Sequence, residues 1–157
     1  MPLDPMFIVA DKEYTVFQKS GEYYTGSVIA YSLNPDLCII RINYERPVVE
    51  IASSNPDQGD KVFYAGYPQG VYYPNLLHFF DGYYAGIDFG RKATWNIPVT
   101  NGSSGSPVVN QRGELVGIVS EVLVDFDHIT MGPSNEQIRQ FLLETAHCKG
   151  FEYCFNE

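Results

Sequence analysis

The chain has 157 residues, 45% of them apolar and 15% aromatic, which excludes a disordered chain and suffices for one cored domain or two small packed barrels. A formal net charge of −9 argues against binding nucleic acid by phosphate neutralisation and against docking on anionic membranes, and it favours basic substrates or partners. Met1-Pro2-Leu3-Asp4-Pro5-Met6 has no positive n-region and no long apolar run follows. Neither a signal peptide nor a transmembrane helix is expected, and an intracellular or virion setting fits.

In chain order, Glu13 to Gln18 alternates and is rich in β-formers, and Lys19-Ser20-Gly21-Glu22 reads as a turn. Tyr23 to Tyr31 is the second strand, with a bulge placed at Gly26, and Asn34-Pro35 breaks it. Leu37-Cys38-Ile39-Ile40-Arg41-Ile42 is near-continuously apolar, which predicts a strand buried on both faces. Pro47 to Asp60 is polar and turn-rich and reads as a linker between two sub-barrels. Val62 to Pro68 is a fourth strand. Further strands are expected at Leu77 to Ile87, Ala93 to Ile97, Ser106 to Asn110, Leu115 to Val124 and Ile129 to Met131. Gln111-Arg112-Gly113-Glu114 is a hairpin turn. One helix closes the series: Ser134 caps it, Gln137 completes a capping box, and Ile138, Phe141 and Leu142 recur at helical spacing. Many short strands with frequent turns predict an all-β barrel or sandwich with one helix packed against it.

Three cysteines, Cys38, Cys148 and Cys154, are an odd number and make no disulfide framework. Cys38 reads as a small buried hydrophobe, while Cys148 and Cys154 are able to pair or stay reduced. No CxxC spacing accompanies His147, so no metal and no cofactor is expected. The pairs Tyr23-Tyr24, Tyr72-Tyr73 and Tyr83-Tyr84 read equally well as interface anchors and as aromatic strand faces.

The segment with the most chemistry is Thr100-Asn101-Gly102-Ser103-Ser104-Gly105-Ser106-Pro107, at the start of an apolar hairpin. Acyl transfer by a serine needs a hydroxyl in a strained turn, a base, a group that orients the base, and two N–H donors for the oxyanion. Gly102 lets the backbone turn tightly and aims the N–H groups of Gly102 and Ser104 at one point, with Ser104 as nucleophile. By composition alone, a Gly/Ser-rich turn is also an ordinary strand connection.

Three neighbouring stretches add to this turn. They are Pro35-Asp36-Leu37-Cys38-Ile39-Ile40-Arg41-Ile42, then Gly59-Asp60-Lys61-Val62-Phe63-Tyr64-Ala65-Gly66-Tyr67-Pro68-Gln69-Gly70, then Gly132-Pro133-Ser134 with its helix. With the Ser104 turn, in this order, they resemble the trypsin-like serine peptidases, closest to the HtrA-type branch and its viral relatives, over residues 10 to 145. The resemblance implies an all-β, chymotrypsin-like double β-barrel with a C-terminal helix. It implies Ser104 as nucleophile, Asp36 as the carboxylate that orients the base, and the N–H groups of Gly102 and Ser104 as oxyanion hole. Ser103 stands where trypsin itself has an Asp that pairs with a freed N-terminus, so activation by that ion pair is not expected. The segments Ile97 to Asn101 and Val119-Ser120-Glu121 would line the primary specificity pocket. Pro98 at its base brings no charge, which disfavours a preference for Lys or Arg. His128 is either structural or points into that pocket.

The pattern breaks at the base. In the family a His precedes the Asp by about thirty residues, which leads to Met6-Phe7-Ile8-Val9, where there is none. His78, His128 and His147 all follow Asp36. The expected layout is one peptidase domain over 1–157. It has a partial N-terminal barrel at about 7–52, a C-terminal barrel at about 60–133, a helix at 134–146 and a tail at 147–157, with the first strands of the N-terminal barrel lacking. Three readings follow. The chain is a serine endopeptidase whose His-bearing segment comes from elsewhere, or a catalytically inactive peptidase-like component of a virion or assembly, or an unrelated β-barrel binding protein. Both of the first two predict a polypeptide substrate or protein partner, with an oligomer contact or second chain covering the N-terminal half.

Overall fold

The computed structural model describes residues 13–123, 125–146 and 154–156. Period-two alternation builds the first sheet. In β1 (Glu13–Phe17) and β2 (Tyr23–Leu33) every second side chain turns inward, and Gly26, Val28, Ala30 and Ser32 are buried. β1 pairs antiparallel with β2 from Glu13↔Ser27 to Phe17↔Tyr23. β3 (Asp36–Ile42) pairs antiparallel with β2 from Leu33↔Asp36 to Gly26↔Ile42. The irregularity in β2 falls between Val28 and Ala30, not at Gly26. Gly26 is required for room instead: a Cβ there would lie 2.5 Å from Ile40 Cγ2.

β3 departs from its expected burial. Of its residues only Leu37 is buried; Cys38, Ile39, Ile40 and Ile42 are half-buried. The apolar run reflects a place at the margin of an open half-barrel, where β3 pairs with β2 alone among the described strands.

The second sheet has seven strands in the order β8-β7-β4-β5-β6-β10-β9. These are β4 (Lys61–Gly66), β5 (His78–Ile87), β6 (Ala93–Asn96), β7 (Pro107–Val109), β8 (Leu115–Ile118), β9 (Glu121–Leu123) and β10 (Phe126–Gly132). The sheet rolls on itself. Ile118 N–H donates to the Pro133 carbonyl at 3.2 Å and Ser120 N–H to the Met131 carbonyl at 3.0 Å, which ties the end of β8 to the end of β10. Inside the roll lie Trp95, Tyr64, Ile97, Val62, Val108 and Val116, all essentially without solvent contact. The single strand expected over Leu115 to Val124 is two strands. Val119 and Ser120 leave the ladder because Val119 N–H binds the Ser106 carbonyl and Ser120 N–H turns to β10.

The stretch that reads as a linker is pinned at its centre. Leu115 N–H donates to the Glu50 carbonyl at 2.7 Å, and Ala52 N–H to the Leu115 carbonyl at 2.9 Å. The Ala52 carbonyl in turn accepts from Asn135 Nδ2 at 3.1 Å and from Arg139 Nη2. Helix α1 (Asn135–Glu144) forms where its capping box predicts: the Ser134 side chain accepts from Gln137 N–H and the Gln137 side chain from Ser134 N–H. Ile138 and Phe141 project into a second core with Ala30 and Leu37, with half-buried Ile51, Leu115 and Ile118 packed around it. Each such burial is worth about 1.5–3 kcal/mol, so the helix fastens the first sheet to the second. A further strand, β11 (Cys154–Asn156), which the sequence did not predict, lies parallel to β2.

Candidate active site

The turn before β7 is held by backbone hydrogen bonds. Ser103 N–H donates to the Thr100 carbonyl at 3.0 Å, Ser106 N–H to the Ser103 carbonyl at 3.1 Å, and Gly105 N–H to the Val119 carbonyl at 2.8 Å. Gly102 and Gly105 adopt φ of +90° and +83°, the left-handed region that side chains resist. The N–H groups of Ser103, Gly105 and Ser106 are thereby spent, and those of Gly102 and Ser104 have no partner among the described residues. Ser104 is exposed at the crest of the turn, and Ser103 lies fully buried beneath it. The Ser103 hydroxyl sits 3.5 Å from the Tyr64 hydroxyl, whose own proton goes to the Pro98 carbonyl at 2.9 Å. Burial pushes the Tyr64 phenol above its ordinary value.

A second segment backs this turn. Gln69 N–H donates to the Asn101 carbonyl at 2.5 Å, and Gln69 Nε2 to Thr100 Oγ1 at 2.6 Å. Gln69 itself has φ of +57°. A Cβ on Gly102 would lie 2.6 Å from Gly70 N and 2.9 Å from the Tyr67 carbonyl oxygen, so position 102 needs a glycine for space as well as for φ. Beyond Gln69 the same segment rests on the first sheet. Tyr72 donates its hydroxyl to the Gln18 carbonyl at 2.9 Å and stands 5.5 Å from the Phe17 ring, and Asn75 N–H reaches the Lys19 carbonyl at 2.6 Å. Among the paired tyrosines, Tyr84 is a core residue and Tyr23, Tyr73 and Tyr83 are exposed.

Asp36, the first residue of β3, is joined to the same place from the other sheet. Its Oδ2 accepts a hydrogen bond from Ser120 Oγ at 2.8 Å, across 84 positions of sequence. Ser120 is 7% exposed, and its neighbour Val119 is the residue hydrogen-bonded to Gly105 and Ser106. One dipeptide therefore connects the carboxylate to the serine turn. Two residues on, Cys38 is half-buried; burial first, and the Asp36 charge second, push its thiol above the usual value.

The histidines lie elsewhere. His78 opens β5, opposite Gly66 and half-buried, with its ring 6.5 Å from that of Phe80. His128 is exposed on β10 with its ring 5.5 Å from that of Phe126. Among the described residues no histidine hydrogen-bonds Ser104 or Asp36. His147 and Cys148, and the Met6 to Val9 stretch, lie outside the described residues, and of Cys154 only the backbone pairing is described. The described residues contain no group of three or more His, Cys, Asp or Glu able to hold a metal, and no helix long and apolar enough to cross a membrane.

Ser120 as a partner for Asp36 was not legible in the sequence, which places it only in the pocket wall. Gln69 lies in the Gly59 to Gly70 stretch, but nothing local says that it meets Asn101.

A rolled seven-stranded sheet, a half-barrel beside it and one closing helix are the chymotrypsin-like fold of serine peptidases. Residues 7–118 match the trypsin-like peptidase domain family, and the chain belongs to that family. Comparison with curated protein sequences finds no match. In structure the chain is similar to the active form of the Rv3671c protease from M. tuberculosis, with a TM-score of 0.75 at 20% identity over 93% of this chain and 70% of that one. It is also similar to the serine endoprotease from Yersinia pestis, with a TM-score of 0.73 at 20% identity over 82% of this chain and 47% of that one. At these identities the likeness is one of fold.

Proposed function

We propose that this chain is the larger part of a serine endopeptidase that cleaves polypeptides by acyl transfer through Ser104. The observation that carries the reading is the turn itself: an exposed Ser104 flanked by two N–H groups with no described partner, tied through Val119-Ser120 to Asp36. In this mechanism Ser104 Oγ attacks the scissile carbonyl carbon while its proton passes to a general base. The carbonyl oxygen gains negative charge and takes hydrogen bonds from the N–H groups of Gly102 and Ser104. The base then protonates the leaving amine, the C–N bond breaks, and water hydrolyses the ester by the same steps reversed. Asp36 orients that base, a His that another segment or a second chain covering the N-terminal half supplies.

Ile97 to Asn101 and Val119 to Glu121 wall the specificity pocket, with Pro98 at its base and His128 on a strand beside it. Pro98 and Ser120 are uncharged, and the Pro98 carbonyl already accepts from Tyr64 while the Ser120 hydroxyl donates to Asp36, so neither supplies a counter-charge for a Lys or Arg side chain. A second reading, a catalytically silent peptidase-like component of a virion or other assembly, is favoured by one observation: no described histidine hydrogen-bonds Ser104 or Asp36.

A fluorophosphonate probe separates the two. With the His-bearing partner present, the endopeptidase reading expects Ser104 to be labelled, and Ser104→Ala to lower kcat/KM by roughly 10⁵–10⁶-fold. An intact fold that never labels, alone or with partner, leaves the assembly reading standing.

A further inference from the structure

The turn that carries Ser104 has one joint that its own hydrogen bonds do not fix. The N–H groups of Ser103 and Ser106 are bonded within the turn, and that of Gly105 to Val119. The peptide unit between Asn101 and Gly102 has no such bond inside the turn. Its rotation changes ψ of Asn101 and φ of Gly102, and a glycine has either sign of φ open to it. Because the unit is planar and trans, its carbonyl and its N–H point in opposite directions. Whichever group holds the Asn101 carbonyl therefore decides where the Gly102 N–H faces.

That group is Gln69. Its N–H donates to the Asn101 carbonyl at 2.5 Å, the one hydrogen bond that this carbonyl accepts among the described residues. Its side-chain Nε2 donates to Thr100 Oγ1 at 2.6 Å, one residue earlier. The Gly102 N–H is thereby turned away from the 67–70 segment and left without a described partner. Gln69 reaches this place with φ of +57° and ψ of 18°, a conformation that a residue with a side chain keeps only where its surroundings hold it. Those surroundings are well tied. Gly70 N–H returns to the Tyr67 carbonyl at 3.0 Å and Val71 N–H to the Pro68 carbonyl at 3.1 Å. Half-buried Tyr72 then braces the segment: its hydroxyl donates to the Gln18 carbonyl, and its ring lies 5.2 Å from Tyr67 and 5.5 Å from Phe17. The grip on Asn101 is thus supported from the first sheet.

We propose that Gln69 is a positioning residue for the oxyanion hole. Its main-chain N–H holds the Asn101–Gly102 peptide so that the Gly102 N–H, and not the Asn101 carbonyl, faces the oxygen on which negative charge develops. Without that N–H the unit is free to turn over, and a carbonyl oxygen would then oppose the charge that the donors stabilise. The oxyanion role of Gly102 rests on the acyl-transfer reading; the orientation of its peptide does not.

The test uses the full chain, labelled with NMR-active nitrogen and carbon isotopes. A scalar coupling across the hydrogen bond, from the Gln69 amide nitrogen to the Asn101 carbonyl carbon, should appear in the native chain. It should persist in Gln69→Gly, which keeps the N–H and takes positive φ freely. Gln69→Pro removes the N–H and is barred from φ of +57°. In Gln69→Pro the N–H dipolar coupling of Gly102, measured in an aligned medium, should depart from its native value, and in Gln69→Gly it should return to it. A native chain without the scalar coupling, or a Gly102 orientation that Gln69→Pro leaves unchanged, overturns the proposal. If Gln69→Pro does not fold, the native coupling decides alone. A second arm reads the chemistry with the His-bearing partner present. Fluorophosphonate labelling of Ser104 should slow by about 10²–10³-fold in Gln69→Pro, the range for loss of one oxyanion donor, and recover in Gln69→Gly. Equal labelling rates in Gln69→Pro and the native chain also overturn it. A native chain that never labels sinks acyl transfer through Ser104 and leaves the spectra to decide on Gln69.

Discussion

Asp36 touches two things that a residue-level reading connects: the Ser120 hydroxyl and, through space, the Cys38 thiol. The aspartate itself was legible as the head of an apolar strand in a family pattern. Its partner was not, because a hydrogen bond across 84 positions has no local signature. Cys38 offers a way to read the charge on Asp36. Burial and that charge both hold the thiol neutral, so its thiolate, the form that reacts with iodoacetamide, emerges only above the ordinary thiol range. Asp36→Asn removes the second cause and keeps the first. The pH profile of Cys38 alkylation should therefore move to lower pH in Asp36→Asn while remaining above that of a free thiol. A profile that does not move would mean that Asp36 carries no charge felt at Cys38.

At the scale of elements, prediction from sequence succeeded where the signal was local. α1 begins at its capping box, and every expected strand region forms ladder pairs, because caps and alternation are properties of a few adjacent residues. Ser134→Ala removes one half of that box and should cost about 1 kcal/mol, seen as a lower denaturant midpoint at unchanged slope. The loss should exceed that of an exposed helix substitution such as Leu143→Ala, since α1 fastens the two sheets through Ile138 and Phe141. Prediction failed where a strand's environment is set by its neighbours. β3 is apolar enough for a doubly buried strand, yet it lies half-open because no described strand covers its outer edge. Leu115 to Val124 reads as one run, yet competition from the Ser106 and Met131 carbonyls splits it.

The whole molecule joins a rolled sheet to an open one, and its charge bears on that opening. The formal charge of −9 keeps copies apart at pH 7 and falls to zero near pH 4.7. Association between copies should then rise, and light scattering at equal concentration should report larger species at pH 4.7 than at pH 7. Scattering that does not change between the two would mean that net charge does not control association. From the chain's letters alone came the family resemblance, the Ser104 turn, the positions of most strands along the chain and the capped helix, because each is encoded in short stretches whose backbone preferences act locally. Two features belong to the tertiary structure alone. They are the pairing of Ser120 with Asp36 and the grip of Gln69 on Asn101. Each is the outcome of competition for hydrogen bonds among groups far apart in sequence, and only the assembled fold decides which donor meets which acceptor.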